Sequence, residues 1–233
     1  MTERQKIILL AVVREYIKNA QPVGSRLLSE KYNFHISPAT FRSEFADLEE
    51  MDYLYQPYTS AGRIPTDKGY RFFVNSVLEK RVQERESVKE AFLELSRLKN
   101  RQDEIFADLA RTMSEFSKNV VLSGSMESNM LFKSGVNEIF SEPEFDEEST
   151  RREFGNIIDS FEDKIKKVLS EISEDDVVVL IGKENPALKL KDFSLIITKC
   201  NLSESEGLIA ILGPKRMDYA KNINLINSLK RLL

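Results

Sequence analysis

The sequence predicts an α+β fold in three parts. Three observations carry that prediction. Helix-capping signals and apolar repeats follow one another closely up to Lys80. A charge-rich stretch from Val88 to Phe116 carries apolar residues at spacings of three, four and seven. After Val177, apolar runs alternate with glycine- and proline-marked turns. The expected boundaries are 1–80, 81–120 and 121–233, and 233 residues suffice for one or two domains with their own cores.

Thr2-Glu3-Arg4-Gln5 has the form of a capping box, and Ile8, Leu9, Val12, Tyr16 and Ile17 follow at helical spacing. That helix is expected to stop near Asn19, before Gln21-Pro22-Val23-Gly24. Ser25 is expected to cap a short second helix with Leu27 and Leu28, ending near Tyr32-Asn33. Ser37-Pro38, a capping hydroxyl followed by proline at the first helical position, opens a third helix running to about Met51. Three helices joined by tight turns describe a helix-turn-helix. Tyr53–Gln56 and Arg63-Ile64-Pro65 read as short strands on either side of the turn Thr59–Arg63. A hairpin placed directly after the third helix is the wing of a winged helix-turn-helix. Thr66 then caps a fourth helix with Asp67 in its first turn and Phe72, Phe73 and Val77 on its apolar face.

Phe92, Leu95, Leu98, Ile105, Leu109, Met113 and Phe116 give the next stretch the pattern of a long amphipathic helix. Gln102 and Thr112 interrupt a strict heptad, so packing in a bundle or dimer is expected over an extended coiled coil. Met130–Phe140 reads as helix, Glu142–Thr150 as an acidic loop around Pro143, and Arg152–Ile172 as helix. Val177–Ile181, Phe193–Cys200 and Leu208–Leu212 read as strands, and Met217–Leu232 as a closing helix. Together these make a small α+β domain.

Composition narrows the function. Apolar residues make up 41% and charged residues 31%, an ordinary globular balance. No run has the apolar length of a bilayer span, and Met1–Lys18 lacks a signal-peptide layout, so a soluble cytoplasmic protein is expected. A single cysteine, Cys200, and a single histidine, His35, leave no internal disulfide, no cysteine-cluster metal site and little room for histidine catalysis. His35 reads as a turn residue and Cys200 as packed at a strand end. The carboxylates from Glu142 to Glu148 lack EF-hand spacing, and the isolated Gly182, Gly207 and Gly213 form no phosphate loop. With no nucleophile–base pair either, neither an enzyme nor a cofactor is expected. The net charge of −4 argues against a nucleic-acid partner, but up to Lys80 eleven Lys/Arg face ten Asp/Glu. Pattern, not net charge, has to decide.

On a wheel at about 100° per residue, Phe41, Phe45 and Leu48 share the inward face of the third helix. Ala39, Arg42, Ser43, Ala46 and Glu50 face away, with Thr40 and Asp47 on the flank. Small residues with one arginine suit close approach to base edges, so Ser37, Ala39, Thr40, Arg42 and Ser43 are candidate DNA contacts. Asp47, Glu49, Glu50 and Asp52 are expected to tilt away from the phosphates. In the wing, Thr59, Ser60, Gly62 and Arg63 offer hydroxyl, amide and guanidinium groups to phosphate or minor groove, with Tyr58 a further donor. Lys68 and Arg71 lie close by and either track the DNA backbone or solubilise their helix. A solvated helix face and a plain hairpin turn are the competing readings.

The string from Thr2-Glu3-Arg4-Gln5 through Pro22-Val23-Gly24-Ser25 to Ser60-Ala61-Gly62-Arg63-Ile64-Pro65-Thr66-Asp67-Lys68-Gly69-Tyr70-Arg71 closely resembles the HrcA family of bacterial heat-inducible transcription repressors. Leu131-Phe132-Lys133-Ser134-Gly135, Glu142-Pro143-Glu144-Phe145 and Gly213-Pro214-Lys215-Arg216-Met217-Asp218-Tyr219 match it as well. The resemblance implies a homodimer on an inverted-repeat operator (CIRCE) ahead of chaperone operons of the groEL/groES and dnaK/grpE/dnaJ type. It also implies release on heat shock, the GroEL chaperonin as modulator, and a GAF-like C-terminal domain. This chain departs from the family twice. Ser43 stands where the family usually has an asparagine able to pair with adenine. Family members are also longer around Val121–Met130, where they carry the first GAF-like strands and an inserted dimerisation domain. A reduced sheet is therefore expected, with the dimer contact on the Val88–Phe116 helix. The rival readings are a winged-helix regulator with a ligand-sensing C-terminal domain and a different operator, and a protein-interaction module without DNA binding.

Overall fold

A computed structural model describes residues 1–79, 88, 90–93, 102–125, 130–170, 172–173, 176–184, 186, 188, 190–202 and 205–232. The chain divides into two compact units, Met1–Glu79 and Lys80–Leu233.

The first unit runs α1 (Glu3–Asn19), α2 (Ser25–Lys31), α3 (Pro38–Glu50), β1 (Leu54–Tyr55), β2 (Ile64–Pro65) and α4 (Asp67–Leu78). The capping box forms: Gln5 N–H donates to Thr2 Oγ1 at 3.2 Å, and Thr2 N–H to Gln5 Oε1 at 2.8 Å. Ser37 Oγ accepts from Thr40 N–H at 3.1 Å, and Thr66 Oγ1 from Gly69 N–H at 3.1 Å, so α3 and α4 start where the sequence marks them. α2 differs. Gly24 occupies its cap without a side-chain bond, and Ser25 is already helical. Ile8, Leu9 and Val12 of α1 are buried, as are Leu28, Phe41, Phe45, Leu48 and Leu54. On α4 Gly69, Tyr70, Phe73 and Val74 are buried; of the expected Phe72–Phe73–Val77 face Phe73 is in the core, while Phe72 and Val77 are half-buried. Rings run in series from Tyr32 through Phe34 and Phe41 to Phe45, at centroid distances of 5.6, 5.5 and 6.3 Å.

One carboxylate lies inside this unit. Glu15, its side chain 4% exposed, accepts from Lys31 Nζ at 2.6 Å, Tyr32 Oη at 2.8 Å and Asn19 Nδ2 at 3.2 Å. Burial pushes its pKa up, but the bonds from Lys31, Tyr32 and Asn19 outweigh burial and leave it below the ordinary carboxylate value. Burial and the same carboxylate push the Tyr32 phenol up to about 12. The cluster fastens α1 to the C-terminal end of α2.

The second unit is built on a five-stranded antiparallel sheet. Its strands are β3 (Val120–Ser125), β4 (Met130–Ser134), β5 (Val178–Ile181), β6 (Phe193–Leu202) and β7 (Ser205–Pro214), in the order β4-β3-β7-β6-β5. Its helices are α5 (Gln102–Ser117), α6 (Val136–Ile139), α7 (Glu148–Asp159), α8 (Phe161–Leu169) and α9 (Tyr219–Lys230). Val120, Leu122, Leu195, Ile197, Ala210 and Leu212 form one core with Phe154, Ile157, Phe161 and Ile165 of α7 and α8. The alternate residues face α5 and α9: Ser123 Oγ donates to the Phe106 carbonyl at 2.5 Å, and Ser194 Oγ lies 2.8 Å from Tyr219 Oη.

Several expectations change here. Met130–Phe140 is not one helix but β4, a turn at Gly135 and α6. The residues before Leu131 do form a strand: β3 is buried on both faces, so its sequence shows no alternation to read. Arg152–Ile172 breaks at Ser160 into α7 and α8. Of the expected linking helix over 81–120, most of 81–101, including Leu95 and Leu98, lies outside the described residues. The described part, α5, packs on β3 and β4 of its own chain and buries Ile105, Leu109 and Met113 there. Those residues are buried within the fold of their own chain.

Candidate nucleic-acid interface

The wheel reading of α3 matches its burial. Phe41, Phe45 and Leu48 are buried, while Ala39, Arg42, Ser43, Ala46 and Glu50 are exposed. Ser37 is exposed and Thr40 half-buried, each hydroxyl 3.0 Å from the other. Arg42 has no ion-pair partner among the described residues.

Three of the α3 carboxylates are engaged within the unit. Glu44 pairs with Arg4 at 3.3 Å. Asp47 accepts from Gln5 Nε2 at 3.2 Å. Glu49 accepts from the Gln56 backbone N–H at 3.0 Å and pairs with Arg63 at 3.0 Å. Two bind α3 to α1, and the third binds it to the hairpin. In sequence these residues show only as acid on a helix proposed for DNA, because their partners lie up to 42 residues away.

The hairpin pairs Leu54 with Pro65 and Tyr55 with Ile64. Beyond β2, Arg63 and Val23 exchange both backbone bonds at 2.9 Å, a bridge with no sequence signal of its own. This explains Gly62. A Cβ there would stand 2.4 Å from the Val23 carbonyl carbon and 2.7 Å from that of Pro22. The glycine is demanded by the crossing chain. The tip carries exposed Tyr58, Thr59 and Ser60, with Ser60 at φ 71°. Gln56 Nε2 closes the loop onto the Ala61 carbonyl at 2.9 Å.

Two candidate cations are not free ends. The Arg63 side chain is only 14% exposed and turned onto Glu49. Lys68 donates to the Met51 carbonyl at 2.8 Å and lies 4.5 Å from the Tyr53 ring centre, so it ties α4 to the end of α3. Arg71 is half-buried. In the second unit Cys200 is buried, and burial pushes its thiol up to about 12. The expected acidic loop is a short 3₁₀ turn, Pro143–Asp146. Arg216 pairs there with Glu144 and with Glu142. Two strings that carry the family resemblance thus meet in space.

Residues 71–223 match the family described as HrcA protein C terminal domain. The chain is 29% identical to the "Heat-inducible transcription repressor HrcA" of Thermoanaerobacter sp. (strain X514), covering 100% of this chain and 96% of that one over 334 aligned positions. It is 26% identical to the protein of the same name from Clostridioides difficile (strain 630), covering 100% and 98%. A crystal structure of a hypothetical protein at 2.2 Å resolution shares the fold, with a TM-score of 0.81 at 21% identity over 100% of this chain and 97% of that one. These findings define a transcription regulator and not an enzyme. The chain belongs to the HrcA family of heat-inducible transcription repressors. Among the described residues no helix is long and apolar enough to cross a membrane.

Proposed function

We propose that the Met1–Glu79 unit is a winged helix-turn-helix that binds duplex DNA. In this reading the chain represses chaperone operons as a homodimer on a CIRCE-type inverted repeat, with GroEL as modulator. The observation that carries the reading is the outward face of α3, where Ala39, Arg42, Ser43 and Ala46 are exposed and Arg42 lacks an ion-pair partner among the described residues. Ser37, Thr40, Thr59 and Ser60 add hydroxyls that suit phosphate oxygens. Gly62, Arg63 and Lys68 support the frame that presents them, and Arg71 stands beside it. Within 334 aligned positions this chain supplies 233 residues. We take the difference as the family's inserted segment and the Lys80–Leu233 unit as a reduced GAF-like domain.

The test is a gel shift of the purified protein against the inverted repeat and a scrambled duplex at two salt concentrations. Tighter binding to the repeat is expected, and equal binding to both would sink the specific-repressor reading. Arg42→Ala should lower the preference by about 1–3 kcal/mol, the range for one good base contact.

A further inference from the structure

We infer that Glu49 positions the wing for DNA by holding its two strands to the C-terminal end of α3. This rests on the DNA-binding reading above and names a residue outside the contact surface.

The two carboxylate oxygens of Glu49 serve different strands. Oε1 accepts from the backbone N–H of Gln56, the residue that leaves β1. Oε2 pairs with Arg63, the residue that precedes β2. One side chain on α3 therefore grips both sides of the hairpin one residue beyond its paired strands, on the side of the loop. The grip is specific to an anion. Arg63 Nε is buried without a hydrogen-bond partner, so the guanidinium is held through Nη2 by the Glu49 carboxylate. A charged pair at 14% and 38% side-chain exposure is screened less than a surface pair.

The remaining fastenings act elsewhere. The Val23–Arg63 bridge holds the backbone of the returning strand to the start of α2. Gln56 Nε2 to the Ala61 carbonyl shapes the tip. Neither fixes the outgoing strand to α3: where the strand begins, Tyr53 N–H donates to the Leu48 carbonyl at 2.9 Å, and where it ends Glu49 holds the Gln56 N–H. Both strands are two residues long, too short to set the hairpin's direction by themselves. Without Glu49, the tip residues Tyr58, Thr59 and Ser60 keep their local turn but no longer stand at a fixed distance from the exposed face of α3. In this reading α3 contacts base edges and the wing contacts phosphates. A wing out of register therefore releases its phosphates and leaves the base readout of α3 in place.

The test uses the full chain with two duplexes, one carrying the CIRCE inverted repeat and one scrambled, titrated by fluorescence anisotropy across salt concentrations. Amide exchange is read in parallel. Glu49→Ala should weaken both duplexes alike, with the repeat-to-scramble ratio unchanged. The log–log salt slope should flatten by about one unit for each phosphate the wing releases. The Gln56 amide should lose protection while those of Val23 and Arg63 keep theirs. Glu49→Gln retains an acceptor for Gln56 but no charge for Arg63, so it should fall between parent and Glu49→Ala; it also serves if the alanine variant folds poorly. General destabilisation lowers the active fraction without moving the slope. An unchanged slope in both variants overturns the role, as does a drop in the sequence ratio, which would place Glu49 with the base-reading residues. A parent that binds neither duplex overturns the DNA-binding reading itself and the role with it, whereas a parent that binds normally confines any failure to Glu49.

Discussion

Gly62→Ala tests the close crossing beneath the wing. The new methyl would stand 2.4 and 2.5 Å from the Val23 carbonyl carbon and oxygen and 2.7 Å from the Pro22 carbonyl carbon, all backbone atoms that no rotamer change can move. The strand must withdraw, and the paired Val23–Arg63 bonds at 2.9 Å break. Two backbone bonds at about 0.5–1.5 kcal/mol each cost about 1–3 kcal/mol. Residual overpacking adds about 1–3 kcal/mol. The smaller entropy of unfolded alanine returns about 0.4–1 kcal/mol. The net loss is about 1–6 kcal/mol, against about 4–12 kcal/mol expected for a unit of this size. Tyrosine fluorescence during urea unfolding reads this unit selectively: the chain has no tryptophan, and Tyr219 alone of its seven tyrosines lies beyond Glu79. The midpoint should fall with the slope unchanged. Gly155→Ala is the opposite-sign case, read by calorimetry because it lies in the second unit: a Cβ there meets open space within α7 and should stabilise that unit by about 1 kcal/mol. A Gly62→Ala midpoint equal to the parent's, with Val23 and Arg63 amides still protected, would show that the crossing has slack the distances deny.

Two further outcomes follow from the buried charges. Glu15 has its pKa lowered in the fold, so its stabilisation is present above the unfolded carboxylate value of about 4.3 and is lost as pH falls through the folded value. The tyrosine-monitored urea midpoint should drop on acidification below about pH 5, and Glu15→Gln should flatten that dependence while costing about 2 kcal/mol at neutral pH; an identical pH profile for the variant would assign the acid sensitivity elsewhere. Arg216→Met leaves Glu142 and Glu144 beside each other without their counter-charge. It should destabilise the second unit by about 2 kcal/mol by calorimetry, less than for a fully buried pair because both carboxylates are partly exposed; an unchanged transition would mean the two carboxylates stay solvated without Arg216.

What the sequence reveals divides along a physical line. Caps are local, so Thr2, Ser37 and Thr66 mark three helix starts correctly. The α3 face is legible because one side packs and the other meets water, which is the condition for a period of 3.6. β3 is not legible. Buried on both faces, it has no polar partner to alternate with, and its Ser-Gly-Ser end imitates a loop. β4 imitates helix because an edge strand of five residues runs straight into α6. α5 keeps its helical periodicity, but an apolar stripe does not say which partner covers it. Here the sheet of the same chain does. Arg63 and Lys68 look like cations seeking phosphate because sequence shows a charge without the groups that hold it, the Glu49 carboxylate for one and the Met51 carbonyl and Tyr53 ring for the other.

Local pairing of charges is how an acidic chain can serve as a DNA-binding regulator in the proposed reading. α3 carries Glu44, Asp47, Glu49 and Glu50 against a single Arg42, and taken as a sum this helix repels phosphate. The sum is misleading at contact range. Glu44 is matched by Arg4, Glu49 by Arg63, and Asp47 is held by Gln5. At physiological salt, with a screening length of about 8 Å, a matched pair presents little field beyond its own diameter. Arg42 is the charge on the outward N-terminal face that lacks an ion-pair partner among the described residues, and exposed Ala39, Ser43 and Ala46 let that face come close to a groove. The same carboxylates that lower the net charge also bind α3 to α1 and to the hairpin. Neutralising them by mutation would therefore loosen the frame rather than improve it for DNA. Net charge and ion-pair geometry predict opposite signs for Glu49→Ala, and the salt slope of that one variant separates them.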